Sequence, residues 1–144
     1  MDENTTVEKY LVFMIHEKRY ALPAKTISEV TVLEKVFPLP LVPAYVMGII
    51  NRYSVPYALI DIKFLLLNDS SNASKVIVLK EEIDKLAFLI DDVTDIADLP
   101  SDQLMKIEQE DVASISACFE WKGCNVLCLD TEELINRIKQ DFGQ

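Results

Sequence analysis

Three cysteines and one histidine are the side chains of this chain best suited to metal binding or nucleophilic catalysis. Cys118, Cys124 and Cys128 lie close together near the C-terminus, whereas His16, the sole histidine, lies near the N-terminus. A structural zinc site needs four such ligands, and the sequence supplies no fourth one nearby. A catalytic dyad would need His16 to reach a thiol, yet its charged neighbours indicate an exposed turn. We therefore predict three reduced thiols, no metal and no catalytic residue.

The segment around the cysteines predicts a hairpin. Strands are expected at 114–121 and 124–130, joined by a turn at Lys122–Gly123. A two-residue type I′ turn requires positive φ at both positions, which suits the glycine but not the lysine. Cys124 and Cys128 would then share a face at a distance of about 13 Å. That distance is too long for a disulfide.

An acidic segment, "IDDVTDIADLPSD", is a second candidate for ion binding. Its first four aspartates are Asp91, Asp92, Asp95 and Asp98. An EF-hand loop needs acidic or amide ligands at alternate positions, a central glycine and a terminal glutamate, and this segment lacks that pattern. We interpret Asp91 as the end of a strand and the other three as solvated turn residues. No cofactor is predicted.

Composition excludes several classes of partner. The 144 residues carry a formal net charge of −10, so no basic stripe is available for nucleic-acid phosphates or anionic lipid. No apolar run reaches the roughly 18–20 residues that a membrane-spanning helix needs. The polar N-terminus differs from a secretory signal. We expect a cytoplasmic protein with no nucleic-acid partner and no direct membrane insertion.

Four segments share one design, in which two short strands flank a turn. Most of these segments end on an aspartate or a helical turn. They are "YLVFMIHEKRYALPAKTISEV" (10–30), "GIINRYSVPYALIDIKFLL" (48–66), "KVIVLKEEIDKLAFLIDDVTDI" (75–96) and "SISACFEWKGCNVLCLDTEELINRIKQ" (114–140). Several runs are apolar on both faces, as in a wall shared by two packed barrels. No long amphipathic stretch before residue 130 supplies a parallel crossover, so small antiparallel barrels are favoured.

The remaining stretches predict connections and ends. The proline-rich residues 37–45 predict an extended connector with a turn at Pro43–Ala44, and "NDSSNASK" (68–75) predicts a surface loop between two subdomains. Asp130 and Glu133 predict the N-cap and capping-box partner of a C-terminal helix. We expect a disordered tail over 1–9, one domain over 10–140 and a frayed end over 141–144.

The order of these segments resembles the CheW-like adaptor family of bacterial and archaeal chemotaxis. "PAYVMGIIN" resembles that family's proline-led turn into its second hairpin, "LAFLIDDVTDI" its third-hairpin exit, and "NVLCLDTEELI" its last strand and helix. The resemblance spans Tyr10 to about Ile138. It implies a mainly β fold of two small SH3-like, five-stranded antiparallel barrels packed together, with a C-terminal helix.

The resemblance also implies a function and a set of contact residues. The function is that of a non-enzymatic scaffold that couples the cytoplasmic tips of chemoreceptors to the regulatory domain of the histidine kinase CheA, in arrays at the inner membrane face. A receptor helix would lie in a groove, and the kinase would pack barrel on barrel. The implied receptor-binding residues are Ile27, Tyr53, Ala87 and Ile96. The implied kinase-binding residues are Glu29, Gly48 and Ser54.

One stretch departs from the family. Where the family has Leu-Arg-Gly after its second-hairpin strand, this chain has Arg52, Tyr53 and Ser54, and the following proline has moved two residues earlier to Pro56. Ser54 would be strained if its φ is positive. Either the protein serves a receptor with an altered tip, or Tyr53 makes a stacking contact instead, or receptor coupling is weak or lost. The last case would fit a divergent adaptor of another two-component kinase pathway with altered or lost chemoreceptor binding. A third hypothesis, a ligand-binding or hydrolytic barrel, requires a deep pocket with convergent polar groups.

Overall fold

The computed structural model describes residues 6–68, 73–107 and 114–142. Short strands dominate this part of the chain, with two α-helices. The strands are β1 (Val7–Ile15), β2 (Lys18–Pro23), β3 (Ile27–Val32), β4 (Val46–Arg52), β5 (Val55–Asp61), β6 (Lys75–Leu79), β7 (Leu86–Ile90), β8 (Asp92–Pro100), β9 (Met105–Lys106), β10 (Ile115–Trp121) and β11 (Cys124–Leu129). The helices are α1 (Ile62–Leu67) and α2 (Thr131–Phe142). None of the described helices is long and apolar enough to cross a lipid bilayer.

Two sheets form the fold, and they confirm a mainly β architecture with a C-terminal helix. Sheet A has the strand order β8-β1-β2-β11-β10-β9, and sheet B has the order β3-β6-β7-β5-β4. Sheet A therefore combines both ends of the chain, whereas sheet B comes from its middle. Sheet A has a sixth strand because the two-residue β9 pairs with β10.

Most strand pairs are antiparallel as predicted, but each sheet contains one parallel pair. β11 runs parallel to β2, and β5 runs parallel to β7. Both pairs join strands from different hairpins, so no tight turn forces them to be antiparallel. The subdomain boundary predicted at 68–75 is wrong, because β5 before it and β6 after it both belong to sheet B. Residues 69–72 of that stretch lie outside the described residues.

Three apolar clusters explain why so many strands are hydrophobic on both faces. Along β1, Tyr10 and Val12 point into the interior of sheet A. The intervening Leu11 and Phe13 point into a second cluster shared by both sheets. Sheet B encloses a third cluster around Leu59. The alternation of strand side chains thus supplies two barrel interiors and the seam between them.

Helix α2 packs on the shared cluster through the predicted apolar stripe. Leu134, Ile135 and Ile138 are all buried there. Asp130 caps the helix, since its Oδ1 accepts a hydrogen bond from the Glu133 amide at 3.1 Å. The predicted capping box is wrong, because the Glu133 carboxylate instead accepts from the backbone N–H of Ser114 at 3.2 Å. The helix is thereby tied to the start of β10.

Described residues at both predicted ends belong to regular elements, whereas residues 1–5 and 143–144 lie outside the described part of the chain. β1 begins at Val7, and Lys9 pairs with Asp98 of β8, so three residues of the expected tail belong to sheet A. α2 continues through Phe142, and the Tyr45 hydroxyl donates a hydrogen bond to the Asp141 carboxylate. Pairing with a strand about ninety residues away cannot be read from local residue patterns, which explains the misplaced N-terminal boundary.

Candidate functional site

The turn between β4 and β5 presents the most exposed aromatic side chain of the described residues. Tyr53 is 84% exposed, and Arg52 and Val55 form the strand pair that closes the two-residue turn. Both turn residues have positive φ, 53° for Tyr53 and 68° for Ser54. This is the φ pattern of a type I′ turn, which favours asparagine and glycine. The strain expected at Ser54 if its φ is positive is therefore present.

An ion pair joins this hairpin to the other edge of sheet B. Arg52 Nε lies 2.5 Å from Glu29 Oε1, and each side chain is 24% exposed. The Glu29 carboxylate raises the pKa of the Arg52 guanidinium. The same guanidinium lies 5.2 Å from the centre of the Tyr53 ring. Glu29, Tyr53 and Ser54, which the family resemblance assigned to two different partners, thus form one surface with Arg52.

Gly48 lies on β4 but is buried, and its role in the structure is to permit a close backbone contact. A Cβ atom at Gly48 would lie 2.3 Å from the carbonyl oxygen of Phe37, and the residue has a φ of 144°. Next to it, Phe37 and Ile49 exchange two backbone hydrogen bonds of 2.8 Å. Gly48 therefore holds the proline-rich connector against β4. A direct contact with the kinase at this residue remains a prediction.

The residues assigned to the receptor are dispersed over the two sheets. Ala87 is fully buried inside sheet B, so its side chain is not accessible to a partner in this structure. Ile27 is half-buried and packs against the shared cluster. Ile96 is 54% exposed and pairs with Leu11 of β1, whose side chain faces that cluster. Ile27 and Ile96 thus lie on the faces of sheets B and A that meet at the seam.

A polar cluster on sheet A was missed by the sequence analysis. Trp121 Nε1 donates a hydrogen bond to Asp95 Oδ2 at 2.9 Å, and Lys122 Nζ lies 2.7 Å from the same oxygen. Lys122, Trp121 and the backbone N–H of Ile96 lower the pKa of Asp95 to about 2. The cluster links edge strand β8 to the β10–β11 hairpin. No sequence signal joins Asp95 to Trp121, because the contact depends on the curvature of the sheet.

The predicted turn for the later aspartates is wrong. Asp92, Asp95 and Asp98 lie on the nine-residue strand β8, on whose exposed edge charged residues are tolerated. Asp91 precedes this strand, and its Oδ2 accepts a hydrogen bond from the His16 amide at 2.6 Å. In the described residues, no three histidine, cysteine or acidic side chains lie close enough together to hold a metal ion.

The three cysteines are free thiols, as predicted, on the predicted hairpin. Burial raises the pKa of Cys128 to about 12. Cys124 lies at the turn end of the hairpin, where Arg19 Nη1 donates to its sulfur at 2.8 Å. The turn has φ values of 50° at Lys122 and 77° at Gly123, so the lysine adopts the strained conformation that the type I′ turn requires.

Ser54→Gly is expected to raise the free energy of unfolding by about 1 kcal/mol, because glycine adopts positive φ without the penalty of a Cβ atom. Urea unfolding measures the change. Asn125→Gly is the matched control, since Asn125 is an exposed polar residue at a regularly paired position of strand β11. The control should lower stability by about 0.5–1 kcal/mol. Destabilisation by Ser54→Gly would contradict the assignment of strain to the turn.

Comparisons with known proteins agree with this architecture. The solved structure of the scaffolding protein TtCheW from Thermoanaerobacter tengcongensis superimposes with a TM-score of 0.78 at 18% sequence identity, covering 86% of this chain and 89% of that one. At that identity the similarity establishes the fold of two packed barrel-like units. A search of curated proteins gives no match.

The family comparison covers nearly the whole domain. The family model for the CheW-like domain matches residues 9–139, which include all of sheet B, all of sheet A except the first two residues of β1, and most of α2. The matched segment contains the surface around the Glu29–Arg52 ion pair. It also contains Ile27 and Ile96, which lie at the seam between the two sheets. The chain therefore belongs to the CheW-like domain family.

Proposed function

We propose that this protein is a non-enzymatic chemotaxis adaptor that couples chemoreceptor tips to the regulatory domain of the histidine kinase CheA. The observation that carries the proposal is the family match over residues 9–139. Two barrels that share one core supply rigid outer faces, which an adaptor needs to hold two partners at a defined distance. The protein would act in the cytoplasm and be recruited to receptor arrays at the inner membrane face.

The kinase would bind the surface formed by β3 and the β4–β5 turn. This surface combines the Glu29–Arg52 ion pair with the exposed Tyr53 ring and the Ser54 hydroxyl. Exposed tyrosines beside arginines are frequent anchors of protein interfaces, because a large rigid ring buries much area for little loss of side-chain entropy. This location also makes Tyr53 a candidate contact for the kinase, in addition to the receptor contact expected from the resemblance.

The receptor would bind along the seam between the two sheets. Ile27 and the exposed Ile96 flank this seam on sheets B and A. An amphipathic receptor helix would place its apolar face against both residues. Ala87 would act only indirectly, since its methyl group points into the interior of sheet B beside Val78 of the neighbouring strand β6.

A second candidate function is that of a divergent adaptor for another two-component kinase pathway, with altered or lost chemoreceptor binding. The observation that favours it is the strained turn at Tyr53–Ser54. The family's arginine is displaced there, and the arginine that is present is held by Glu29. A strained turn that has not been relieved by glycine is consistent with selection for a particular side chain at its tip.

Size-exclusion chromatography of the full chain with each purified partner tests the proposal. We expect co-elution with the CheA regulatory domain and with a chemoreceptor signalling fragment from the same organism. Co-elution with the kinase domain alone would favour the second candidate. Failure to bind either partner would overturn both. Turnover of a substrate by the isolated protein would contradict a non-enzymatic role.

Charge reversal at the ion pair gives a sharper prediction. Glu29→Arg is expected to weaken binding of the kinase regulatory domain about tenfold, because it places two like charges together and removes the carboxylate offered to the partner. The free energy of unfolding should change by no more than about 1 kcal/mol, as for other partly exposed ion pairs. Isothermal titration calorimetry and urea unfolding measure the two effects.

The double variant Glu29→Arg/Arg52→Glu is the control. It restores the ion pair with reversed polarity, so stability should return to that of the original protein. Binding should remain weak if the kinase reads the charge at each position. Full recovery of binding would show that the pair only supports the local structure, and the assignment of Glu29 to the interface would be wrong.

A further inference from the structure

Strand β3 has one edge without a backbone partner among the described residues. On its other edge it pairs with β6, in the register Val30 with Ile77 and Val32 with Lys75. The amide of Leu33 donates to the Ser74 carbonyl at 2.6 Å, which makes Leu33 and Ser74 a hydrogen-bonded pair. In an antiparallel ladder such pairs alternate, so the backbone groups of Val30 and Val32 point away from β6.

The side chains on this edge lack the features that usually protect an exposed strand. Val30 is 40% exposed and Val32 is 53% exposed. Protected edges carry lysine, proline or a bulge at such positions, because an apolar edge with unpaired backbone groups recruits other strands. Here the bulge lies earlier in β3, between Ile27 and Glu29, and leaves the edge beyond it regular. The C-terminal half of β3 is therefore a template for strand addition.

The unpaired edge of β3 faces the outer edge of β4, the strand at the other end of sheet B. Ile49 already bonds through this edge to Phe37. Asn51, two residues further, directs its backbone groups the same way. Between the two edges lies a cleft of about 200 Å³. Its lining includes Thr31, Leu33, Phe37, Ile50, Asn51 and Val76.

The charges around the cleft specify the chemistry of what it accepts. Glu29 and Arg52 neutralise each other. Glu34 and Lys35 follow β3 with opposite charges, and the Lys35 ammonium lies 4.8 Å from the centre of the Phe37 ring. The rim is thus balanced in a chain whose formal charge is −10. A charge on the added segment itself would be buried beside the two valines without an unpaired counter-charge, whereas an uncharged apolar segment would bury both valines and leave the Glu29 carboxylate at the rim for the rest of the kinase domain.

We propose that the kinase regulatory domain docks by adding an extended, uncharged apolar segment as a strand to the unpaired edge of β3. The inference rests on the proposed adaptor function and defines the binding mode at the same surface. Alternate residues of the added segment would contact Val30 and Val32, and its backbone would satisfy their amide and carbonyl groups. A receptor helix cannot provide this contact, because its backbone groups are already bonded within the helix.

Val32→Pro tests the role of the backbone. Proline removes the outward-pointing N–H of residue 32 and leaves the ladder between β3 and β6 intact, since proline is tolerated where the N–H faces solvent. Binding of the kinase regulatory domain, measured by calorimetry on the full chain, should weaken at least about tenfold, as expected when a buried hydrogen bond is lost. Val32→Ile keeps the N–H and an apolar β-branched side chain, and it should weaken binding only about threefold or less.

Amide hydrogen exchange on the unsubstituted protein gives a second, independent readout. On binding of the regulatory domain, exchange at Val30 and Val32 should slow at least about tenfold, because both amides gain a partner. Binding without this protection would overturn strand addition and leave the adaptor function intact. Equal losses in Val32→Pro and Val32→Ile would also overturn it. Absence of any binding by the unsubstituted protein would overturn the adaptor function itself, and the inference with it.

Discussion

Replacing Gly48 with alanine is expected to lower the free energy of unfolding by about 3 kcal/mol, through backbone strain and overpacking of about 1–3 kcal/mol each. The residue has a φ of 144°, and an added Cβ would meet the Phe37 carbonyl oxygen at 2.3 Å. The connector and β4 would have to separate, which would break the hydrogen bonds between Phe37 and Ile49. Urea unfolding measures the change as a shift of the midpoint with an unchanged slope.

Gly123→Ala is the matched control for this prediction. Gly123 also has a positive φ, 77°, but an added Cβ would have no atom within 4 Å. Its replacement should cost only about 1 kcal/mol of strain. Equal losses of stability at the two glycines would show that the close contact between residue 48 and the Phe37 carbonyl does not add to the cost of the substitution. A Gly48 variant that loses kinase binding should therefore be tested for folding before the residue is assigned to an interface.

Phe88→Ala should produce a comparably large loss of about 3–5 kcal/mol, the usual cost of removing a buried aromatic ring. Phe88 is fully buried in the cluster that both sheets share. It belongs to sheet B, whereas Trp121, the sole tryptophan, belongs to sheet A. Because one core joins the sheets, Trp121 fluorescence should report the loss in a single unfolding transition.

Phe142→Ala is the control for the aromatic substitution. Phe142 is 40% exposed at the end of α2, so its replacement should cost less than about 1 kcal/mol. If Trp121 fluorescence in Phe88→Ala kept its original urea midpoint while circular dichroism showed secondary structure lost at lower urea, the two sheets would unfold separately. That result would contradict the shared core as the element that makes the adaptor rigid.

The hairpins and their ends could be predicted from local residue patterns. β-branched and aromatic runs located the strands, and the aspartates at 61 and 130 were correctly placed at the ends of strands that lead into helices. Asp61 accepts from the Phe64 amide at 3.2 Å, as Asp130 does from Glu133. Caps and turns involve residues only a few positions apart, so their chemistry is visible in the sequence.

The candidate site was predicted less completely. Glu29, Tyr53 and Ser54 were identified as contact residues by resemblance, but the pairing of Glu29 with Arg52 was not, because the two residues meet only when β3 and β4 form the two edges of one sheet. Gly48 and Ala87 were assigned to interfaces and are buried. The open edge of β3 was also missed, since an unpaired edge is a property of the assembled sheet.

The sequence by itself determined the strands, their two apolar faces, the capped helix and the family. The tertiary structure alone decided which strands are neighbours, that both chain ends build one sheet, and that Trp121 links to Asp95. The physical reason is the range of each interaction. Side-chain alternation and capping act over a few residues, so they are visible in the sequence. Strand partners are joined by backbone hydrogen bonds between distant segments, and almost any two strands can form such bonds. Packing of the core therefore decides which strands become neighbours.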